Sequence, residues 1–470
     1  MKTIENNTSL SKLILKKTAT PSVFVFLIIV LFSATTFKFW INWGILQTPF
    51  QMDVDQYYSY LIAQFIHHDF SFHFQHSYWL VETPTHEYVP KVTMGLSILY
   101  FPFFVIANNI AYAFDYDGLG YSAPYSWCVH FGAIFYVLVG IWYCRKSLLL
   151  LLFNEWVVAL SIFFILFGTN LFYYTYKESE MTHSHLFFLF SVFIYHVLKW
   201  RQTHKIKYVY YFSFIAGLVT LIRPTEILIL LFPLLIYVGN FSEFKTRLTE
   251  LRNLKWKLVL AVFIFFIPII PQLIFWKMHT SQFLFFSYGS KEGFFFTDPQ
   301  FYNVLFGWKK GWFIYTPIML LAMVGLVMLF FKRRNLFYAI AIYFLVNLYL
   351  ISCWWDWGYG GAYGMRALVQ CYAFLIIPFA FFMNWILVDF KKKVLKITFG
   401  VFCISFCGFF SYVNVFQTYL YKNSLWHWDS MTKEAYFYTF LNSDHVDRVY
   451  LETLFKHPDY EEMRKGDRDE

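Results

Sequence analysis

The chain reads as an all-α polytopic membrane protein with about eleven transmembrane helices. Three observations carry that reading. Of the 470 residues, 59% are apolar and 24% aromatic. Only 14% are charged, against roughly 25% in ordinary soluble domains. Apolar runs near the ~20 residues that a membrane helix requires recur along the whole length. Sixty-one Phe and 36 Tyr exceed what a soluble core of this size could bury. A soluble α/β enzyme, a disordered chain and a small disulfide scaffold are therefore excluded. The six cysteines lie in or beside apolar runs with no CxxC or Cys/His ligand spacing, and read as small hydrophobes.

In chain order, the expected spans are 21–43, 124–144, 156–173, 182–198, 208–222, 224–240, 258–276, 313–331, 335–353, 367–388 and 397–416. The first 20 residues form a basic arm leading into a retained span, with no small-residue cleavage site after it. Residues 95–113 are apolar too, but contain Pro102 and Asn108-Asn109 between acidic-aromatic loops. Charge decides their placement. With eleven spans and the N-terminus inside, the cytoplasmic segments collect 22 of the 38 Lys and Arg, against 8 in the outer loops. A twelfth span at 95–113 would invert every later loop and put Lys391-Lys392-Lys393 outside, against the positive-inside rule. Segment 95–113 is therefore expected as an amphipathic or re-entrant helix at the outer interface. Residues 1–416 then form the membrane domain, with outer loops at 44–123 and 277–312. Residues 417–470 form a polar outer tail whose Trp426, His427 and Trp428 are candidates for acceptor binding.

Acidic residues concentrate on the outer side, so the polar chemistry is expected there. Asp53-Val54-Asp55 opens the long first outer loop. In a loop, two such carboxylates can share a divalent cation, Mg²⁺ or Mn²⁺. Alternatively, one is a general base that the other orients; the plain reading is a solvated acidic turn. Glu178-Ser179-Glu180-Met181-Thr182-His183-Ser184-His185 forms an outer turn. Glu180 and His183 share a helix face if the next span begins there, while Glu180 or Thr182 could simply cap it. Arg223-Pro224 places a guanidinium at membrane depth, which marks either a function or a firm pair with Glu226. Its fork suits phosphate or carboxylate. Lys291, Lys309 and Lys310 break the positive-inside trend and offer cations to an anion, or snorkel from an aromatic belt. In Trp354 to Arg366, four glycines interrupt a Trp/Tyr run containing Trp355 and Asp356. Its rings could stack on a sugar or an isoprene, and Arg366 stands at the start of the next span.

This layout resembles the membrane-embedded glycosyltransferases of the GT-C superfamily over roughly residues 40–415. The resemblance rests on an Asp-x-Asp motif opening a long first outer loop, interfacial helices expected near 56–68 and 95–113, and a cytoplasmic N-terminus. Shorter signatures are similar to a bacterial, protein-mannosyltransferase-like branch. They are Pro90-Lys91 to Pro102-Phe103, Glu180 to His183, Arg223-Pro224, Lys309 to Pro317, and Trp354 to Arg366. The resemblance implies a GT-C-like bundle and an inverting transfer of a sugar from a polyprenyl-phosphate carrier to an acceptor hydroxyl. It implies Asp53 as general base, with Asp55 and Glu180 as further catalytic candidates. Lys91, His183, Arg223, Lys291, Trp355, Asp356 and Arg366 would bind substrate. Val54 stands where relatives carry Glu, a departure that touches the metal more than the base.

The implied partners are a polyprenyl-phosphate-linked sugar, membrane lipid and an acceptor that is a protein, a lipid or a polysaccharide, with no nucleic acid. The expected compartment is a bacterial inner membrane with the site facing the periplasm. A lipid-linked glycan flippase or transporter, and a ligase or polymerase of surface glycans, share parts of this pattern and stay open at the level of sequence.

Overall fold

The computed structural model describes residues 20–44, 50–75, 80–289 and 292–468. Helices dominate. The described strands form one antiparallel hairpin, β1 (Leu80–Glu82) with β2 (Tyr88–Pro90).

Helix α1 (Pro21–Gly44) starts on a proline, whose missing N–H costs nothing in a first turn. Helix α2 (Met52–Ile62) and helix α3 (Gly95–Ala113) flank the hairpin, and α4 (Ala123–Leu150) follows. The chain then builds α5 (Glu155–Phe167), α6 (Leu171–Tyr176), α7 (Thr182–Thr203) and α8 (Ile206–Ile222). Asn154 caps α5 by accepting from Trp156 N at 2.9 Å, as an N-cap should. Contacts between Phe26 and Trp142, and between Phe37 and Phe131, set α1 antiparallel to α4. Tyr136 against His185, and Cys144 against Ser191, set α7 parallel to α4. One end of the bundle therefore gathers Thr20, Ser22, Arg145 and Glu155. The opposite end carries the turns before α7 and after α8.

The next stretch is more broken. A 3₁₀ turn (Pro224–Leu230) leads into α9 (Leu231–Leu235), then α10 (Phe241–Asn253), α11 (Trp256–Phe266) and α12 (Ile270–Thr280). Helices α13 (Phe301–Phe306) and α14 (Trp312–Tyr315) precede α15 (Met319–Lys332) and α16 (Arg334–Cys353). A 3₁₀ turn (Arg366–Cys371) enters α17 (Tyr372–Asn384), and α18 (Lys393–Lys422) runs past residue 416. Where α15 crosses α17, a Cβ on Gly325 would lie 1.9 Å from the Pro378 carbonyl, so the two backbones meet there without a side chain between them.

Among the described residues, six helical segments are long and apolar enough to cross a membrane, or seven if the bent pair α11–α12 counts as one. The protein is thus an all-α polytopic membrane protein. Expected spans 21–43, 124–144, 335–353, 367–388 and 397–416 coincide with five of the six. The sixth is 95–113, which charge counting assigned to the interface. The structure gives it the dimensions of a span and lays it antiparallel along the first half of α4. Phe103 packs on Gly132, and the Leu99 carbonyl accepts from Tyr136 at 3.0 Å.

Four other expected spans are not continuous helices. Segment 156–173 breaks after Phe167, 224–240 begins as a 3₁₀ turn, 258–276 bends by 53°, and 313–331 splits at Thr316-Pro317. Pro224, Pro268 and Pro317 withhold a backbone donor, which summed hydropathy does not register. At the α5–α6 break the freed carbonyls of Phe167 and Thr169 accept from the Asn414 side chain of α18, at 2.9 and 2.8 Å. Satisfying a broken helix from a neighbour in this way is what an apolar surrounding demands.

The polar tail is folded onto the bundle. Helices α19 (Lys433–Thr439), α20 (Arg448–Thr453) and α21 (Tyr460–Lys465) each start on a side-chain cap, from Thr432, Asp447 and Asp459. Trp426, Leu451, Met463 and Arg468 are buried. Arg468 donates to the Trp354 carbonyl at 3.0 Å and pairs with Asp298 at 2.7 Å.

Candidate active site

Met52 takes a left-handed φ of 49° and turns the chain into α2, so Asp53 and Asp55 lie in a helical first turn and not in a loop. Residues two apart on a helix point about 200° away from each other. Asp53 faces Arg366, with Oδ2 4.0 Å from Nη2 and its side chain 42% exposed. Asp55 turns the other way and accepts from Tyr121 OH at 3.1 Å. Helical geometry thus sends the two carboxylates, expected as a cation-sharing pair in a loop, to opposite sides of α2.

Arg366 is the centre of the constellation. The glycine-rich loop before it is bent by positive φ at Tyr359, Gly360 and Gly364. At Gly364 the φ of 61° coincides with Tyr315 Cβ 3.0 Å from where a side chain would start. This bend brings Asp356 and Arg366 to one place. Asp356 is buried, its Oδ1 has no hydrogen-bond partner, and burial raises its pKa against the pull of Lys309 and Arg366. Arg223, at the end of α8, holds its guanidinium 5.7 Å from the Tyr359 ring centroid. The guanidinium makes no hydrogen bond or ion pair among the described residues. Tyr57, Tyr288 and Tyr359 each feel both Arg223 and Arg366, and burial raises all three phenols. His183, in the first turn of α7, is buried between the same two guanidiniums, with Nδ1 unpartnered.

Lys91 approaches from β2, bonds both oxygens of Glu292 at 2.8 Å and stands 4.6 Å over the Tyr288 ring. It ties the segment before α3 to the segment after α12. Lys291 lies outside the described residues.

Other expected site residues are employed elsewhere. Glu180 is buried against His130 of α4 at 2.6 Å, which spends its carboxylate on joining the α6–α7 turn to α4. Trp355 is buried under the tail, with Arg464 4.9 Å over its ring, so that face is closed to a sugar. Glu226 accepts from Gln370 at 2.6 Å and from Tyr343 at 3.2 Å and forms no firm pair with Arg223.

Glu178 was not singled out by the sequence, yet it is the turn carboxylate that senses Arg366 and Lys310. Burial raises its pKa, and Tyr173 OH donates to it at 2.6 Å. Its only sequence signal was its place in the same turn as Glu180. Lys310, expected to meet an anion, donates instead to the Ala362 and Trp428 carbonyls. Its burial lowers the amine's pKa to about 7.

The arrangement sets a half-exposed carboxylate, Asp53, beside two guanidiniums in a pocket of phenol rings. Guanidinium forks match phosphate oxygens, and a carboxylate at their edge can take a proton. Together, fold and site define a multi-span helical membrane protein with one charged constellation at one end of its bundle. No protein-family model matches the chain, and no curated protein matches it. Among solved structures it is similar to ArnT from Cupriavidus metallidurans in the apo state, at 12% identity and a TM-score of 0.45, over 83% of this chain and 71% of that chain.

Proposed function

We propose that the protein is a GT-C-type glycosyltransferase that moves a sugar from a polyprenyl-phosphate carrier to an acceptor hydroxyl on the outer face of the membrane. The observation that carries the reading is Asp53, half exposed and 4.0 Å from Arg366, with an Arg223 whose fork makes no hydrogen bond or ion pair among the described residues. The acceptor oxygen attacks the anomeric carbon, the bond from that carbon to the phosphate oxygen breaks, and Asp53 takes the hydroxyl proton. The electron pair leaves on the lipid phosphate, where Arg223 and Arg366 stabilise the negative charge. A single displacement inverts the anomeric centre. The clustering of Lys and Arg at the other end of the bundle supports a cytoplasmic N-terminus and a periplasmic site in a bacterial inner membrane.

The test is sugar transfer or hydrolysis by purified wild type and Asp53→Asn, using radiolabelled polyprenyl-phosphate sugars with membrane extract. Turnover by wild type that falls about 10²–10⁴-fold in a folded Asp53→Asn variant supports the reading. Full activity in the variant removes Asp53 as base. Binding of the carrier without turnover by either protein points to the flippase reading.

A further inference from the structure

The folded tail carries a second group of chemically active side chains, none of which bonds to either guanidinium among the described residues. His427, Asp429 and His457 each offer one ligand atom, and these atoms all lie within 4.8 Å of one another. His427 and Asp429 come from the turn after α18, whereas His457 comes from the segment between α20 and α21. The tail fold therefore closes the group; the sequence spacing alone does not.

The supporting hydrogen bonds hold the group together and leave Nε2 of His457 for a ligand bond. Ser430 Oγ donates to Asp429 Oδ1 at 2.6 Å and, with its proton so committed, accepts from His457 Nδ1 at 2.8 Å. That fixes the His457 proton on Nδ1 and leaves a lone pair on Nε2. Tyr460 OH holds the other carboxylate oxygen, Asp429 Oδ2, at 2.7 Å. His427 Nδ1 stands 2.9 Å from Asp429 Oδ1 and accepts from Asp429 N at 3.2 Å, so an ion at this nitrogen takes the place of that backbone contact. Two ligands at about 2.0–2.1 Å from one tetrahedral zinc ion stand about 3.3 Å apart, so the nitrogen and oxygen need to separate by only about 0.4 Å to become neighbours in a coordination shell. Asp429 is buried, which fixes it, while His457 is exposed, which gives an ion a way in. Outer hydrogen bonds that fix the imidazole tautomer and the carboxylate are the usual support of such a site.

We propose that His427, Asp429 and His457 bind one divalent transition-metal ion, with zinc the best match to two imidazoles and a carboxylate. Three protein ligands leave a coordination position for water. The ion closes the tail upon itself next to Trp428, whose carbonyl accepts from Lys310 and from Ala362 N. The metal thus clamps the covering of the loop that bears Asp356 and Arg366. It is independent of the proposed sugar chemistry.

The test uses the full chain, purified without a histidine tag, stripped with a chelator, equilibrated with ZnCl₂ and desalted. Elemental analysis is expected to give about one more zinc per chain than in a His427→Ala/His457→Ala variant. Ser430→Ala is expected to bind zinc about 10-fold more weakly, since it frees the His457 tautomer. Cobalt(II) in place of zinc should give wild type the intense d–d absorption of a four- or five-coordinate site, and this reads the folded wild type directly if the double variant fails to fold. Equal zinc in wild type and the double variant, or only the weak bands of hydrated cobalt(II), overturns the site.

Discussion

Replacing Arg223 and Arg366 separately by Gln distinguishes a guanidinium that serves the ligand from one that also serves the fold. The Arg223 guanidinium has no hydrogen-bond or ion-pair partner among the described residues, and it lies 5.7 Å from the Tyr359 ring centroid. Arg223→Gln is therefore expected to change stability by no more than about 0.5 kcal/mol, the ordinary range for a substitution that breaks no network. Arg366 differs. Its side chain is 15% exposed, it faces Asp53 at 4.0 Å, and Glu178 and Asp356 act on it as well. Breaking a fully buried ion pair costs about 3–5 kcal/mol. With Asp53 42% exposed, solvent screening reduces that to about 1–3 kcal/mol for Arg366→Gln.

Donor use should fall in both variants. Each hydrogen bond to a charged group contributes about 1.5–3 kcal/mol, so loss of one fork on a phosphate removes about 3 kcal/mol, or roughly 100-fold in kcat/KM. Thermal unfolding in detergent, together with kcat/KM for a polyprenyl-phosphate sugar, reads both quantities. Equal losses of Tm in the two variants, or unchanged kcat/KM in Arg223→Gln, would refute the reasoning.

Asp55→Asn changes a carboxylate that is turned away from Arg366 towards Tyr121 and is expected to keep activity within about 3-fold of wild type, while Asp53→Asn does not; parallel assays of the two variants decide. Glu180→Ala removes one buried partner of His130 while Ser179 stays at 2.8 Å, and should cost about 1–3 kcal/mol, seen as a lower Tm; an unchanged Tm with activity abolished would move Glu180 into the site. Lys310 is held near pKa 7 when folded and near 10.5 when unfolded. Between those values the unfolded chain binds more protons, so stability rises with pH. Wild type should therefore gain Tm relative to Lys310→Met as pH climbs from about 7 towards 10, and a flat difference across that range would overturn the assignment.

Much of the bundle was legible because apolar runs and charge asymmetry report the bilayer directly. Asp53, Arg223 and Arg366 were legible as costly charges at the ends of apolar runs, and the fold brings them together from three distant segments. What escaped was whatever depends on partners distant in the chain. Glu178 and Glu180 look alike in sequence, and only the positions of His130 and Tyr173 send one to α4 and the other towards Arg366. Asp53 and Asp55 are neighbours in a loop reading of their segment, and the helical turn that begins at Met52 points them apart. Trp355 read as a stacking platform because nothing in its own segment shows that Arg464 will cover it. The breaks at Pro268 and Pro317 were visible as residues but had no weight in a hydropathy sum.

The amide of Asn414 has a consequence of phase. By holding the Phe167 and Thr169 carbonyls, it fixes both the depth and the rotation of α18 against the break that leads to α6 and Glu178. Everything from Asn414 to the tail inherits its angular setting from that latch. One residue inserted between Asn414 and Lys422 would swing the tail by about 100° and lift it about 1.5 Å. Trp428 would then leave Lys310, and Arg464 would leave Trp355. The same insertion near Val401 and Phe402, which are exposed on α18, would shift the far end of the helix and leave the latch, the tail and the charged site in register.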